Sequence, residues 1–122
     1  MIIAVDFDGV LNATAYPNVG EAIPGAIEGM QKLHSLGHTL IIWTCRAGKE
    51  LEDAIEWLLE NEVPFVGVNC NTTERIRQYS NDSRKISADL YIDDCIVGGF
   101  PGWETVLDHI YKRQQECVQF SK

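Results

Sequence analysis

The sequence predicts an α/β fold, one three-layer domain built around a mostly parallel sheet. Three observations predict it. Short continuous apolar runs of strand length recur at Ile2–Val5, Leu40–Trp43, Phe65–Val68 and Leu90–Ile92, and runs that do not alternate with polar residues suit strands buried on both faces. Amphipathic stretches of helical length separate the first three runs, and neighbouring parallel strands require such crossovers. The length, 122 residues with 45% apolar side chains, supports one core and not two.

Ile2–Val5 ends in acid at Asp6 and is the first strand. Residues 11–22, rich in Asn, Gly and Pro, predict a loop or small flap. Pro24 opens a helix in which Ala26, Ile27, Met30 and Leu33 share one stripe, and Gly37 ends it. The second strand lies within His38–Thr44. A second helix sets Leu51, Ala54, Ile55, Leu58 and Leu59 on its inner face, and Pro64 closes that region. Phe65–Val68 is a short third strand. Residues 69–84 are polar and loop-like, with room for a short helix over Glu74–Tyr79. Leu90–Ile92 is the fourth strand, again ending in acid, at Asp93 and Asp94. The last helix carries Trp103, Val106, Leu107, Ile110 and Tyr111 at helical spacing. Neither a repeat nor a linker interrupts the chain, so residues 1–122 read as a single domain.

Composition excludes several functions. Eighteen acidic against ten basic residues give a net charge of -8 and a pI near 4.7. Sequence-independent binding to nucleic acid needs clustered Lys and Arg, and an anionic membrane surface needs the same. No apolar run reaches the length of a membrane span, and Met1–Val5 lacks the basic start and the extent of a secretory signal. A cytoplasmic location is expected. Cys45, Cys70, Cys95 and Cys117 form no CxxC pair and no zinc spacing, so they are expected as buried or half-buried thiols in a reducing compartment. Asn12, Asn71 and Asn81 begin glycosylation tripeptides that, without a signal, are read as chance.

The functional groups of a parallel sheet gather beyond the carboxyl ends of its strands. There the first strand delivers Asp6 and Asp8, the second Thr44 and Arg46, and the fourth Asp93 and Asp94. Clustered carboxylates repel one another and are costly to desolvate without a counter-ion. Magnesium, bound through two or three carboxylates and water, removes that cost. Lys85 can bring a fixed positive charge to the same edge, and Thr44 a hydroxyl. A divalent cation, a lysine, a hydroxyl and a free carboxylate suit phosphoryl transfer, with the carboxylate attacking phosphorus.

These residues carry a family resemblance. Asp6-Phe7-Asp8-Gly9-Val10 after the first strand, Thr44 ending the second, Lys85 upstream, and Asp93-Asp94 closing the fourth resemble, in order, the four motifs of the haloacid dehalogenase-like (HAD) superfamily. The chain is most similar to its small, capless phosphatase branch, and the motifs span most of its length. The resemblance implies a Rossmann-like fold and a Mg2+-dependent phosphohydrolase that cleaves a phosphate monoester through an aspartyl-phosphate. It implies Asp6 as nucleophile and metal ligand, and Asp8 as general acid/base with its backbone carbonyl on the metal. Thr44 and Lys85 would bind the transferring phosphoryl group. Asp93 would ligate the metal directly, and Asp94 would do so through water or orient the site. Lys49 and Arg84 compete with Lys85 for its role. Arg46 lies outside the superfamily's pattern and is a candidate substrate-phosphate contact, with an ion-pairing role as its alternative.

Two other readings stand beside this one. A receiver-type signalling domain uses similar residues, but its acidic pair follows the first strand and its phosphorylated Asp comes later, the reverse of this order. A HAD-like fold without activity, serving as a binding or scaffold module, is the stronger alternative. Trp43, Trp57 and Trp103 follow packing patterns, and His34, His38 and His109 stand apart from the acidic cluster. No stretch is long enough for a cap domain, so the site is expected to be open, or covered by residues 11–22, by the 69–84 loop or by another subunit. The substrate is a phosphorylated compound of undetermined size.

Overall fold

The computed structural model describes residues 1–120, and side chains through residue 116. Its elements run β1 (Ile2–Val5), α1 (Ala26–Ser35), β2 (Thr39–Ile42), α2 (Gly48–Glu60), β3 (Gly67–Val68), α3 (Thr73–Tyr79), β4 (Leu90–Ile92) and α4 (Trp103–Phe120). All neighbouring strands pair in parallel, in the order β3-β2-β1-β4. The fold is the α/β, Rossmann-like three-layer arrangement that the sequence predicts.

The strands divide the interior unequally. Ile3, Val5, Leu40, Ile42 and Ile92 face the larger core, against Met30 and Leu33 of α1, Leu58 of α2 and Ile110 of α4. The opposite face, with Ile2, Ala4 and Ile41, is covered by Ile86 and Ala88. There the short α3 is tied to β1 through one carboxylate. Asp89 accepts from Arg75 Nη2 at 2.8 Å and from the Ile2 N–H at 2.7 Å. The two helical layers are therefore of very different depth.

Gly29 explains how close α1 lies to α4. A Cβ at this position would fall 2.6 Å from Cε3 of Trp103, so only glycine lets the indole lie flat on the helix. Its place in a helix interior costs about 0.5–1 kcal/mol against alanine, offset by burial of the ring. The Trp103 indole N–H donates to the Val10 carbonyl at 2.8 Å and fixes the loop after β1.

Some boundaries and faces differ from expectation. β3 is only Gly67–Val68, because Phe65 and Val66 approach β2 at a sheet edge with a single bond, from the Val66 N–H to the Leu40 carbonyl. In α2 the buried residues are Ala54, Trp57 and Leu58, while Leu59 is 64% exposed. Each step along a helix turns about 100°, which carries Leu59 past the stripe and leaves Trp57 on it. The thiols of Cys45, Cys70 and Cys95 are free and exposed rather than buried, because each follows a strand into a loop at the carboxyl edge. The Cys117 side chain lies outside the described residues. Asn12 and Asn71 are buried with their amides bonded to protein, so neither presents its amide to a glycan. Among the described residues no helix is long and apolar enough to cross a membrane.

Candidate functional site

The strand order reverses beside β1. Its followers β2 and β3 lie on one side and β4 on the other, and such a switch point opens a crevice at the carboxyl ends of the strands. β1 leads its chain into that crevice. The Asp6 N–H still donates to the Ile92 carbonyl at 2.8 Å, continuing the pairing with β4. Its side chain then accepts from the Phe7 N–H at 2.8 Å, which turns the backbone away from the sheet. Phe7 is fully buried and meets Trp57 edge-on at 5.5 Å. Asp6 thus stands on a rigid support.

The result is a cleft of about 360 Å³ lined by Asp6, Trp43, Thr44, Cys45, Asn69, Asp93 and Cys95. Its acidic wall is close-packed. Ligating atoms of Asp93, Asp94 and Cys95 all lie within 4.8 Å of one another. Asp94 rests on Gly9, whose φ is +80° and where a Cβ would fall 2.1 Å from Asp94 Oδ2. Glycine is needed there twice, for the backbone conformation and for the approach of the carboxylate. Asp93 Oδ1 accepts from the Cys95 N–H at 3.0 Å.

This crowding shows in the electrostatics. Burial, hydrogen bonding with Asp94 and the charge of Asp93 push the Asp6 carboxyl up to about 8, against the Phe7 N–H that lowers it. The same hydrogen bonding, seen from Asp94, holds that carboxyl below the usual range. Asp94's charge raises the Cys95 thiol. A proton is retained where carboxylates meet without a cation, and a bound divalent ion inverts that logic. The donor set, oxygen-rich and anionic, therefore fits a hard cation.

Thr44 is held by a residue that the sequence reading did not single out. Asn69 Oδ1 accepts from the Thr44 N–H and Asn69 Nδ2 donates to the Thr44 carbonyl, both at 2.8 Å. The Asn69 backbone adopts φ +54°, which Asn tolerates better than most residues. The signal was its position just past the third strand, where Asp6, Thr44 and Asp93 were sought on the others. Thr44 Oγ1 accepts from the Arg46 N–H at 3.1 Å and keeps its own proton to donate.

The other expected residues lie beside this cleft. Asp8 is half-buried, and both of its oxygens meet Arg46, from Nη2 and Nε at 2.8 Å each. Asn12, also passed over, is buried and adds a bond from Nδ2 to Asp8 Oδ1 at 3.3 Å. Arg46, a candidate substrate-phosphate contact by sequence, is buried at 3% exposure. Its guanidinium also bonds the carbonyls of Pro17, Asn18 and Glu50. Of the two roles that the sequence left open for Arg46, the ion pair is the one the structure shows. Lys85 is exposed, with its ammonium 5.1 Å from the centre of the Tyr91 ring, and does not line the cleft. Lys49 pairs with Asp53 at 2.9 Å on the surface of α2.

No family model matches the chain, and no curated protein does. A solved structure does, that of a conserved protein from Bacteroides thetaiotaomicron. It shares 41% sequence identity with a TM-score of 0.83, over 93% of this chain and 91% of that one. The chain belongs to that protein's family. At this identity the kinship extends along nearly the whole fold, strands, helices and connecting loops together. The relative is described by its conservation and not by an activity, so the family brings the architecture and leaves the chemistry to the site.

Proposed function

We propose that the protein is a Mg2+-dependent phosphohydrolase of HAD type, cleaving a phosphate monoester by way of an aspartyl-phosphate on Asp6. The observation that carries the reading is the placement of Asp6 at the end of β1, between Thr44 after β2 and Asp93 after β4, at the point where the strand order reverses. The carboxylates of Asp6, Asp93 and Asp94 and the backbone carbonyl of Asp8 would hold the cation. Bound there, magnesium would neutralise the oxygens of the phosphoryl group.

The chain's own residues perform the transfer. Among the described residues Asp8 Oδ2 accepts only from Arg46 Nε, and so can take up a proton from solvent on its other lone pair. An Asp6 oxygen attacks phosphorus as the bond to the leaving oxygen breaks, and Asp8 gives that oxygen this proton. Water then attacks the phosphorus and yields a proton to Asp8, and the bond between Asp6 and phosphorus breaks. The Thr44 hydroxyl donates to a phosphoryl oxygen from a backbone that Asn69 keeps fixed. Lys85 joins that group by turning its ammonium from the Tyr91 ring. The open cleft suits a substrate that is not enclosed, and a location in the cytoplasm agrees with the exposed free thiols.

Hydrolysis of an aryl phosphate, followed with magnesium and with EDTA, tests the reading. Turnover is expected with magnesium, to be lost in EDTA and in Asp6→Asn. Turnover of Asp6→Asn equal to the parent's would remove the nucleophile from the proposal. No hydrolysis across sugar, nucleotide and aryl phosphates would favour a binding module instead.

A further inference from the structure

We propose that Arg46 is a positioning residue that joins the Asp8 carboxylate and residues 13–20 into one rigid unit, so that this segment is a seated strap and not a mobile lid. The catalytic half of the inference rests on the phosphohydrolase reading; the structural half does not.

A stretch rich in Asn, Gly and Pro that follows a strand's carboxyl end is ordinarily among the least stable parts of a fold. Here it is bound from below. A guanidinium carries five N–H donors in a fixed fork, and each meets an acceptor of the protein. Nε and Nη2 grip Asp8 Oδ2 and Oδ1 at 2.8 Å each. Nη2 also reaches the Asn18 carbonyl at 3.0 Å, and Nη1 bonds the Pro17 carbonyl at 2.9 Å and the Glu50 carbonyl at 3.1 Å. The guanidinium carbon lies 5.0 Å from the Phe7 ring centre and 5.1 Å from that of Tyr16. One side chain thus ties β1's exit, the strap and the start of α2.

Asn12 repeats the link independently. Its Nδ2 bonds Asp8 Oδ1, the Thr14 carbonyl and the Asn18 carbonyl, and its Oδ1 accepts from the N–H groups of Thr14 and Gly20. Trp57 Nε1 closes the far end on the Gly20 carbonyl at 2.6 Å. With every donor of Arg46 taken and the group out of water, a substrate phosphate would have to break a desolvated fork to reach it. Lysine cannot replace the fork, since its ammonium is a point charge with three donors. Arg46 therefore acts on the reaction through Asp8.

Hydrogen exchange and inhibition by inorganic phosphate test the two halves separately. In the protein without substrate, Arg46→Met should speed exchange of the Thr14, Asn18, Gly20 and Glu21 amides by about tenfold or more, the loss of at least one net hydrogen bond. The amides of β1 should keep the parent's rates, and Arg46→Lys should fall between. Parent-like exchange across residues 13–21 in both variants would overturn Arg46 as the tie, and rapid exchange of these amides in the parent would overturn the seated strap. With an aryl phosphate as substrate, Arg46→Met should lower kcat by about ten- to a hundredfold, as loss of alignment does, with partial recovery in Arg46→Lys. The inhibition constant of inorganic phosphate should stay within about twofold of the parent's, since no phosphate contact is removed. A rise of that constant in step with the fall in kcat would make Arg46 a phosphate ligand and overturn the assignment. If Arg46→Met does not fold, Arg46→Lys carries both comparisons. A parent without phosphatase activity fails the functional reading alone, and exchange then decides the strap.

Discussion

At Asp8 a carboxylate whose side chain is 32% exposed meets a guanidinium at 1%, so the two partners do not bear its loss equally. Asp8→Ala leaves the buried cation uncompensated, and breaking a buried pair in this way costs about 3–5 kcal/mol. Asp8→Asn retains an oxygen that accepts from Arg46 and should cost clearly less. Urea denaturation of the two variants checks this, and equal midpoints would show that the guanidinium rehydrates freely. The same asymmetry makes Asp8→Asn the better variant for kinetics. Asp6, Asp8, Thr44, Asp93 and Asp94 were legible as single residues because each stands at or just past the end of an apolar run. Arg46 was legible only as a choice between two roles. Three of its acceptors are main-chain carbonyls, and no residue type announces those. Lys85 was found by order along the chain, a coordinate that does not say which way a long exposed side chain turns.

Between elements, Asp89 links α3, β1 and β4 through one carboxylate. Burial raises its pKa, but the hydrogen bond from Arg75, the Ile2 N–H and the charge of Arg75 outweigh burial and leave it below the ordinary value. A carboxyl that releases its proton more readily when folded stabilises the native state above its unfolded pKa of about 3.9. That contribution is lost as pH falls through the lower folded value. Asp89→Asn should therefore lower stability at neutral pH and narrow its difference from the parent in strong acid. Thermal melts of both proteins from neutral pH down to about 3, just below that unfolded value, check the sign. A gap that widens in acid would contradict it. Gly9→Ala should cost at least 1 kcal/mol or so for the left-handed backbone alone and should displace Asp94, weakening magnesium binding in a calorimetric titration. Parent-like affinity would separate Asp94 from the cation. The apolar periods made the elements readable, yet Leu59 and the shortness of β3 escaped them. Leu59 stands one helical step past the buried stripe, and β3 is cut short at a sheet edge.

For the molecule as a whole, the parallel sheet was readable because alternation of strands and helices leaves few other topologies. Its strand order was not, since nothing in Leu90–Ile92 says on which side of β1 it pairs. That order is what brings Asp93 and Thr44 to opposite sides of Asp6. An acidic cluster gathered in this way should be relieved by a cation. Magnesium at a hundredfold over its Kd should stabilise the protein by about 2.7 kcal/mol, and Asp93→Ala should lose that shift in melting temperature. An unchanged shift would remove Asp93 from the ligand set. The central claim, that Asp6 is phosphorylated during turnover, is tested most directly by mass spectrometry of Asp8→Asn mixed with an aryl phosphate and magnesium and quenched rapidly in acid. An aryl leaving group needs little protonation, so the first transfer should proceed while hydrolysis of the intermediate stalls. The account predicts one phosphoryl group on the peptide that contains Asp6, absent when Asp6 is also changed to Asn; phosphoryl on any other residue, or in the doubly substituted protein, would contradict it.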